Sequence, residues 1–233
     1  MGSSRLPGKV MLDLCGRPVI HHVIDRVLES RLIDMIVIAT TVDKKDDVLV
    51  VAVNNYHPRV VSFRGSEDDV LERYYQAARE YGIDTIVRIT SDCPLIEPEV
   101  IDDVVRRFAD GEYDYVSNVG DRSFPRGLDT EVFSFSALER AWREAVLPSE
   151  REHVTPYIRN HKDRFPSAEV SSSADYSSYR WTLDTIEDWR FIQVVYNELY
   201  QGKSYFHWLT VLEVLGDKPE IVKINADVQQ KTS

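Results

Sequence analysis

Short β-branched runs alternate along this chain with longer stretches whose apolar residues recur every three or four positions, and that alternation restricts the fold to the α/β class. The runs Met35–Ala39 and Thr85–Ile89 predict strands buried on both faces, Val60–Phe63 predicts a shorter one, and all three are expected to pair in parallel. Between them lie helical stripes. Gly16 and Pro18 precede Val19, Val23, Ile24, Val27 and Leu28; Ser66 and Asp69 form a capping pair for a helix that runs through Tyr81 and ends at Gly82; Pro98 opens a helix carrying Val100, Ile101, Val104, Val105 and Phe108. Further strands are predicted at Tyr113–Val116, Glu131–Phe133 and Tyr179–Leu183. The pairs Ser136/Glu139 and Ser149/Glu152 fit the S/T-x-x-E capping box, and Thr185 caps a long helix bearing Trp189, Phe191, Ile192, Val195 and Leu199. The expectation is one domain over residues 1–233, built on a mostly parallel, mixed sheet with helices on both faces.

Charge and cysteine content narrow the function. A net charge of −11 argues against broad nucleic-acid binding, which needs clustered Lys and Arg, so any phosphate must be met locally. The two cysteines, Cys15 and Cys93, make neither a disulfide framework nor a zinc spacing. No apolar run is long enough to span a membrane and the first residues hold no signal core, so the expectation is a soluble, cytoplasmic protein without membrane partners.

Three places carry chemistry. The opening Gly2-Ser3-Ser4-Arg5-Leu6-Pro7-Gly8-Lys9 sets small residues and two cations in one loop, a composition that suits a polyphosphate and equally suits a solvated start; Val10 after Lys9 excludes a Walker A loop. Asp92 follows one predicted strand and Asp184 another, and the carboxyl ends of strands are where open α/β sheets bind ligands. Two such carboxylates could share one Mg²⁺ with substrate phosphates; taken singly, Asp92 before Pro94 also reads as turn punctuation and Asp184 before Thr185 as a helix-end acid. Cys93 has no evident base beside it in the sequence and is not assigned as a nucleophile, and none of the six His is assigned as a ligand.

Taken in order, the opening block, Arg88-Ile89-Thr90-Ser91-Asp92-Cys93-Pro94-Leu95 and Leu183-Asp184-Thr185-Ile186-Glu187-Asp188 resemble the CMP-sugar synthetases. The stretch from Phe63 to Arg73, with Phe124-Pro125-Arg126-Gly127-Leu128-Asp129 and Ser149–Pro156, is similar to the spore-coat polysaccharide biosynthesis protein F branch of that family. The resemblance implies a nucleotide-diphospho-sugar transferase-like fold and synthesis of a CMP-sugar and pyrophosphate from CTP and an acidic sugar, for surface polysaccharide. It implies that Ser3, Arg5 and Lys9 meet the CTP phosphates, that Arg64 and Ser66 lie near the nucleotide, and that Asp92 and Asp184 hold Mg²⁺. Arg126, Asp129, Glu131 and Glu152 are implied to face the sugar, and a homodimer is compatible with it.

Family members begin with an apolar strand ending in Gln-Ala-Arg ahead of the Met-Gly-Ser block, whereas this chain starts at that block's Met. The resemblance therefore implies that an interior strand of the sheet is missing, that both neighbours are exposed, and that the chain folds poorly, an internal Met having been taken as the start. Two rival readings remain: a glycosyltransferase of related fold, for which Asp129-Thr130-Glu131 is the nearest string to an Asp-x-Asp, and an inactive binding partner.

Overall fold

In the computed structural model, which describes residues 5–202 and 205–230, a 3-10 turn at Lys9–Met11 leads into a two-residue antiparallel pair, β1 (Asp13–Leu14) and β2 (Arg17–Pro18). Pro18 holds an extended φ and ψ at the N-cap of α1 (Val19–Leu28), a helix that buries Val19, Ile20, Val23, Ile24 and Val27. β3 (Ile36–Thr41) and β4 (Val60–Gly65) pair in parallel through the crossover helix α2 (Asp47–Val53). At α3 (Val70–Tyr81) the Asp69 carboxylate accepts from the Glu72 N–H at 2.8 Å, while the Asp69 N–H donates to Ser66 Oγ at 3.0 Å, and Gly82 in the left-handed region closes the helix.

After β5 (Thr85–Arg88) and α4 (Pro98–Ala109) come β6 (Tyr115–Ser117), β7 (Glu131–Ser134), α5 (Phe135–Glu144), α6 (Pro148–His153), α7 (Pro156–Asn160) and β8 (Ser167–Glu169). The chain closes with α8 (Ile186–Leu199), capped by Thr185 as expected, and α9 (Trp208–Asp217). The architecture is α/β with mixed sheets. Among the described residues, no helix is long and apolar enough to cross a membrane.

Several local expectations are corrected. β5 does not pair with β3; it pairs antiparallel with β7, and the four-stranded sheet runs β5-β7-β6-β8. The Tyr179–Leu183 run is not a strand: its one ladder contact is a parallel bridge between Arg126 and Arg180, because Trp181 and Leu183 are both fully buried and pull the segment into the core. Ser134, not Ser136, caps α5 by accepting from the Ala137 N–H. Pro148 sets the first turn of α6, so the acid that reaches back is Glu150, to the Leu147 N–H, rather than Glu152.

β3, expected to be buried on both faces, is half-buried over Ile36–Val37–Ile38, and Met35 beside it is 42% exposed. Among the described residues its other edge has no ladder partner. A cavity of about 730 Å³ separates β3 from β5, and no described strand fills it.

His22 is buried in α1 with Nε2 2.7 Å from the Leu14 carbonyl. Burial pushes its pKa down to about 4, with the cations Arg17 and Arg26 acting the same way against the Leu14 bond and Asp25. The unfolded ring binds its proton near pH 6.5 and the folded ring near 4, so stability falls as pH is lowered between those values. Urea melts from pH 7 to 4 are expected to show a shallower loss in His22→Gln than in the parent; equal slopes would contradict the assignment.

Candidate active site

The site is assembled by apolar residues that flank polar ones. Cys93 and Leu95 after β5, and Trp181 and Leu183 before α8, are at most 2% exposed and share one core cluster. The Leu183 N–H donates to the Asp92 carbonyl at 2.8 Å, which ties the two loops side by side. With their neighbours sunk into the core, the carboxylates of Asp92 and Asp184 are left at one edge, together.

Lys9 lies between them. Its Nζ donates to Asp92 Oδ2 at 2.6 Å and to Asp184 Oδ1 at 2.8 Å, across 83 and 175 residues of sequence. Gly8 makes this possible: its φ of 68° turns the chain into the Lys9 helix turn. Arg5 Nη2 lies 3.1 Å from Asp184 Oδ2, and Arg180 Nη2 donates to the same oxygen at 2.9 Å. Three cations thus face two carboxylates at a partly exposed edge. Burial works against the Lys9 charge, but Asp92 and the bonds to both aspartates outweigh it and hold the ammonium above its usual pKa. Burial likewise raises Asp184, and Lys9 and Arg5 more than offset it, so this carboxyl sits below its usual range. Both shifts keep the pair charged at neutral pH: the Asp184 contribution is lost only as acid protonates it, the Lys9 contribution only as alkali deprotonates it.

Behind Asp184 lies a residue that sequence reasoning did not single out as functional. Asp188, fully buried, accepts from Arg180 Nε at 2.9 Å and Nη2 at 3.0 Å, from Asn225 Nδ2 at 3.0 Å, and from the backbone N–H groups of Asp184 and Thr185, both at 3.0 Å. The capping-box acid of α8 therefore also fixes Arg180 and the Asp184 main chain. Its place at the third helical position was legible; its grip on Arg180 was not, because that depends on how the irregular 179–183 segment folds back.

The remaining sequence-predicted residues are placed unequally. The loop 121–127 is zipped to the segment before Asp184, with the Arg126 N–H donating to the Tyr179 carbonyl at 3.0 Å and the Trp181 N–H to the Arg126 carbonyl at 2.7 Å. Gly127, at φ 112°, permits this approach: a Cβ there would lie 2.7 Å from the Trp181 carbonyl carbon. Arg126 and Arg180 line a cavity of about 220 Å³. Among the described residues the Arg126 side chain makes no hydrogen bond or ion pair, and burial, with Arg122 nearby, depresses its pKa. Asp129 is held by both terminal nitrogens of Arg122.

Glu131, expected to face the sugar, is 4% exposed and already engaged by Arg88, by Tyr115 Oη at 2.6 Å and by Thr155 Oγ1 at 2.6 Å. Its place is in the core beside the loop, as the carboxylate of a buried ion pair with Arg88. Glu152 is exposed on α6. Arg64 and Ser66 lie at and just past the carboxyl end of β4, where Arg64 binds the carbonyls of Thr41 and Asp43 and pairs with Asp47, so it braces the loop after β3. Ser3 lies outside the described residues. Burial, followed by the charges of Asp92 and Asp129, raises the Cys93 thiol well above its usual pKa, which keeps it a thiol.

A sequence profile of the cytidylyltransferase family matches residues 1–205. The chain is 38% identical over 238 residues to an uncharacterized protein of Methanocaldococcus jannaschii, covering 99% of this chain and 93% of that one. It is 34% identical over 207 residues to the spore coat polysaccharide biosynthesis protein SpsF of Bacillus subtilis, covering 85% and 83%. Among solved structures it resembles a cytidylyltransferase from Leptospira borgpetersenii, with a TM-score of 0.90 and 34% identity over 100% of this chain and 95% of that one. It shares the fold of a CMP:2-keto-3-deoxy-manno-octonic acid synthetase complexed with CTP, with a TM-score of 0.63 and 17% identity over 84% and 95%.

Removing one partner of a buried ion pair strands the other and costs about 3–5 kcal/mol. Asp188→Ala is therefore expected to lower stability by about that amount in urea unfolding; a loss below about 1 kcal/mol would show that Asp188 does not anchor Arg180.

Proposed function

We propose that this chain, which belongs to the cytidylyltransferase family, joins the CMP moiety of CTP to an acidic sugar and releases pyrophosphate. The observation that carries the reading is the convergence of Asp92 and Asp184 on one cation, with Arg5 and Arg180 beside them. Two hard oxygen donors spaced to hold a single positive charge fit Mg²⁺, which takes one or two carboxylates together with substrate phosphates and water. Bound to Asp92 and Asp184, Mg²⁺ would supply charge neutralisation for the phosphate oxygens.

The chain's own groups do the rest by position. With a divalent ion on the carboxylates, the Lys9 ammonium and the Arg5 guanidinium are left to meet the phosphates. A sugar hydroxyl oxygen attacks the α-phosphorus, the bond from that phosphorus to the bridging oxygen breaks, and the electron pair leaves with pyrophosphate; the hydroxyl proton passes to solvent. Such a transfer needs orientation and charge stabilisation and no protein nucleophile, in keeping with the protonated Cys93. Arg126, a half-buried guanidinium that makes no side-chain hydrogen bond or ion pair among the described residues, supports an anionic sugar, since a cation drawn from water gains most from a bidentate carboxylate. The names of the relatives point to the same class: a 3-deoxy-manno-octulosonate cytidylyltransferase of Geobacter sulfurreducens matches 46% of this chain at 33% identity. The product would serve surface polysaccharide synthesis in the cytoplasm, where CTP is available.

The glycosyltransferase reading gains no support. In Asp129-Thr130-Glu131 the first carboxylate is clamped by Arg122, Thr130 is buried, and Glu131 is committed to Arg88, so the string offers no open pair of metal ligands.

Pyrophosphate release from CTP over a panel of sugar acids tests the proposal. Asp92→Asn is expected to lower kcat by about a hundredfold or more while leaving the melting temperature near that of the parent, and unchanged kinetics would remove Asp92 from the site. Arg126→Met is expected to raise KM for the sugar acid about 10- to 100-fold with KM for CTP held, the loss of one charged hydrogen-bonding contact; equal rises in both would place Arg126 elsewhere.

A further inference from the structure

A cavity of about 380 Å³ lies between α1, the residues just before β4 and the last turn of α8. It is remote from the paired aspartates: Tyr196 lines it near the far end of α8, about 15 Å along the axis from the turn that carries Asp184. Two arginines line it, and both bond only to neutral carbonyls. Arg26, 5% exposed, donates to the carbonyls of Ile96 at 3.3 Å and Phe206 at 3.1 Å, with its guanidinium carbon 4.3 Å from the Phe206 ring centroid. Arg59 donates to the carbonyls of Ile33 at 2.7 Å and Leu28 at 2.9 Å. Among the described residues neither forms an ion pair, whereas Arg88, Arg122 and Arg180 each hold a carboxylate.

A sheltered cation is stable when an anion and hydrogen bonds compensate it, and the carbonyls fill only part of each guanidinium's donor set. The acids on the lining do not serve. Asp25 accepts from Arg17 at 2.7 Å and from Tyr56 Oη at 2.7 Å, and Glu29 is exposed, with no hydrogen bond or ion pair among the described residues. His57 Nδ1 accepts from the Arg59 N–H at 3.2 Å, which leaves Nε2–H as a further donor. The walls are rings: Tyr196, Tyr200 and Phe206 line the space, and His22, which burial keeps neutral, meets the two tyrosines edge-on at 4.8 and 5.0 Å. Such walls take a flat body, and the volume lies at the lower end of the range of about 300–1,000 Å³ for small-molecule sites.

We infer that this cavity is a binding site for a small aromatic oxyanion, a phosphate monoester or carboxylate on one ring system, held by Arg26 and Arg59. The occupant reaches the loop that carries Asp92, because Tyr196 Oη donates to the Pro94 carbonyl at 2.6 Å and Arg26 to that of Ile96. The inference stands apart from the proposed reaction.

Titration calorimetry on the full chain with phenyl phosphate, benzoate, phenol and inorganic phosphate tests it. Phenyl phosphate or benzoate is expected to saturate below about 1 mM, at least about tenfold tighter than phenol or inorganic phosphate, and the tighter of the two names the head group. Glu29→Gln removes a repelling acid without breaking a bond and is expected to tighten that binding about threefold; Arg59→Gln is expected to weaken it about tenfold. At saturation the Ile96 amide is expected to change its exchange rate about threefold or more. Failure of both aromatic anions to saturate would overturn the proposal, as would phenol or inorganic phosphate binding equally well. Equal affinity in the parent and Glu29→Gln would place the bound anion elsewhere, and this variant decides the matter even if Arg59→Gln melts early. Unchanged exchange at Ile96 would break the link to the Asp92 loop.

Discussion

Two carboxylates held close together repel unless a positive charge lies between them, and much of this structure serves to meet that condition at Asp92 and Asp184. The Lys9 ammonium supplies the charge at 2.6 and 2.8 Å, with its side chain 14% exposed. At such partial burial the attraction is screened less than at an open surface, which is why the arrangement survives as a defined geometry. In the proposed reaction the same geometry would carry the chemistry, the edge exchanging the ammonium for a metal ion that brings phosphates with it.

Support for that edge comes from behind. Leu183 and Trp181 are fully buried, and the Asp188 carboxylate gathers Arg180, Asn225 and two main-chain N–H groups into one saturated center. A buried charge is tolerated when its hydrogen-bonding capacity is filled, and here filling it also sets the direction of the Asp184 side chain. The loop carrying Arg126 is clipped to the same segment through Gly127, so the residues proposed to meet the nucleotide and the sugar rest on one support.

Legibility in the sequence followed the range of the interaction. Helix starts at Pro98 and Thr185 and the stop at Gly82 were readable because they depend on a few adjacent residues. Strand existence was readable from β-branched runs; strand partners were not, since nothing local in Glu131–Ser134 announces that it inserts antiparallel beside β5. Tyr179–Leu183 has strand composition, yet its aromatic and aliphatic residues go to the core and its arginine to two aspartates, so no ladder forms. At the site, Asp92 and Asp184 could be found because each follows a strand-like run and because whole blocks of sequence matched one family in order. Arg180 and Asp188 could not, because their pairing exists only after the chain has folded back, and Glu131 looked like a pocket acid although Arg88, Tyr115 and Thr155 consume it.

The proposed reaction requires Lys9 to give way to a divalent ion between the two aspartates. A crystal structure of the chain with CTP and Mn²⁺, the metal located by its anomalous signal, measures this directly. The predicted result is a single metal coordinated by Asp92, Asp184 and phosphate oxygens, with Lys9 Nζ moved onto a phosphate. A metal bound elsewhere, or Lys9 still clasped between the two carboxylates with the nucleotide in place, would contradict it.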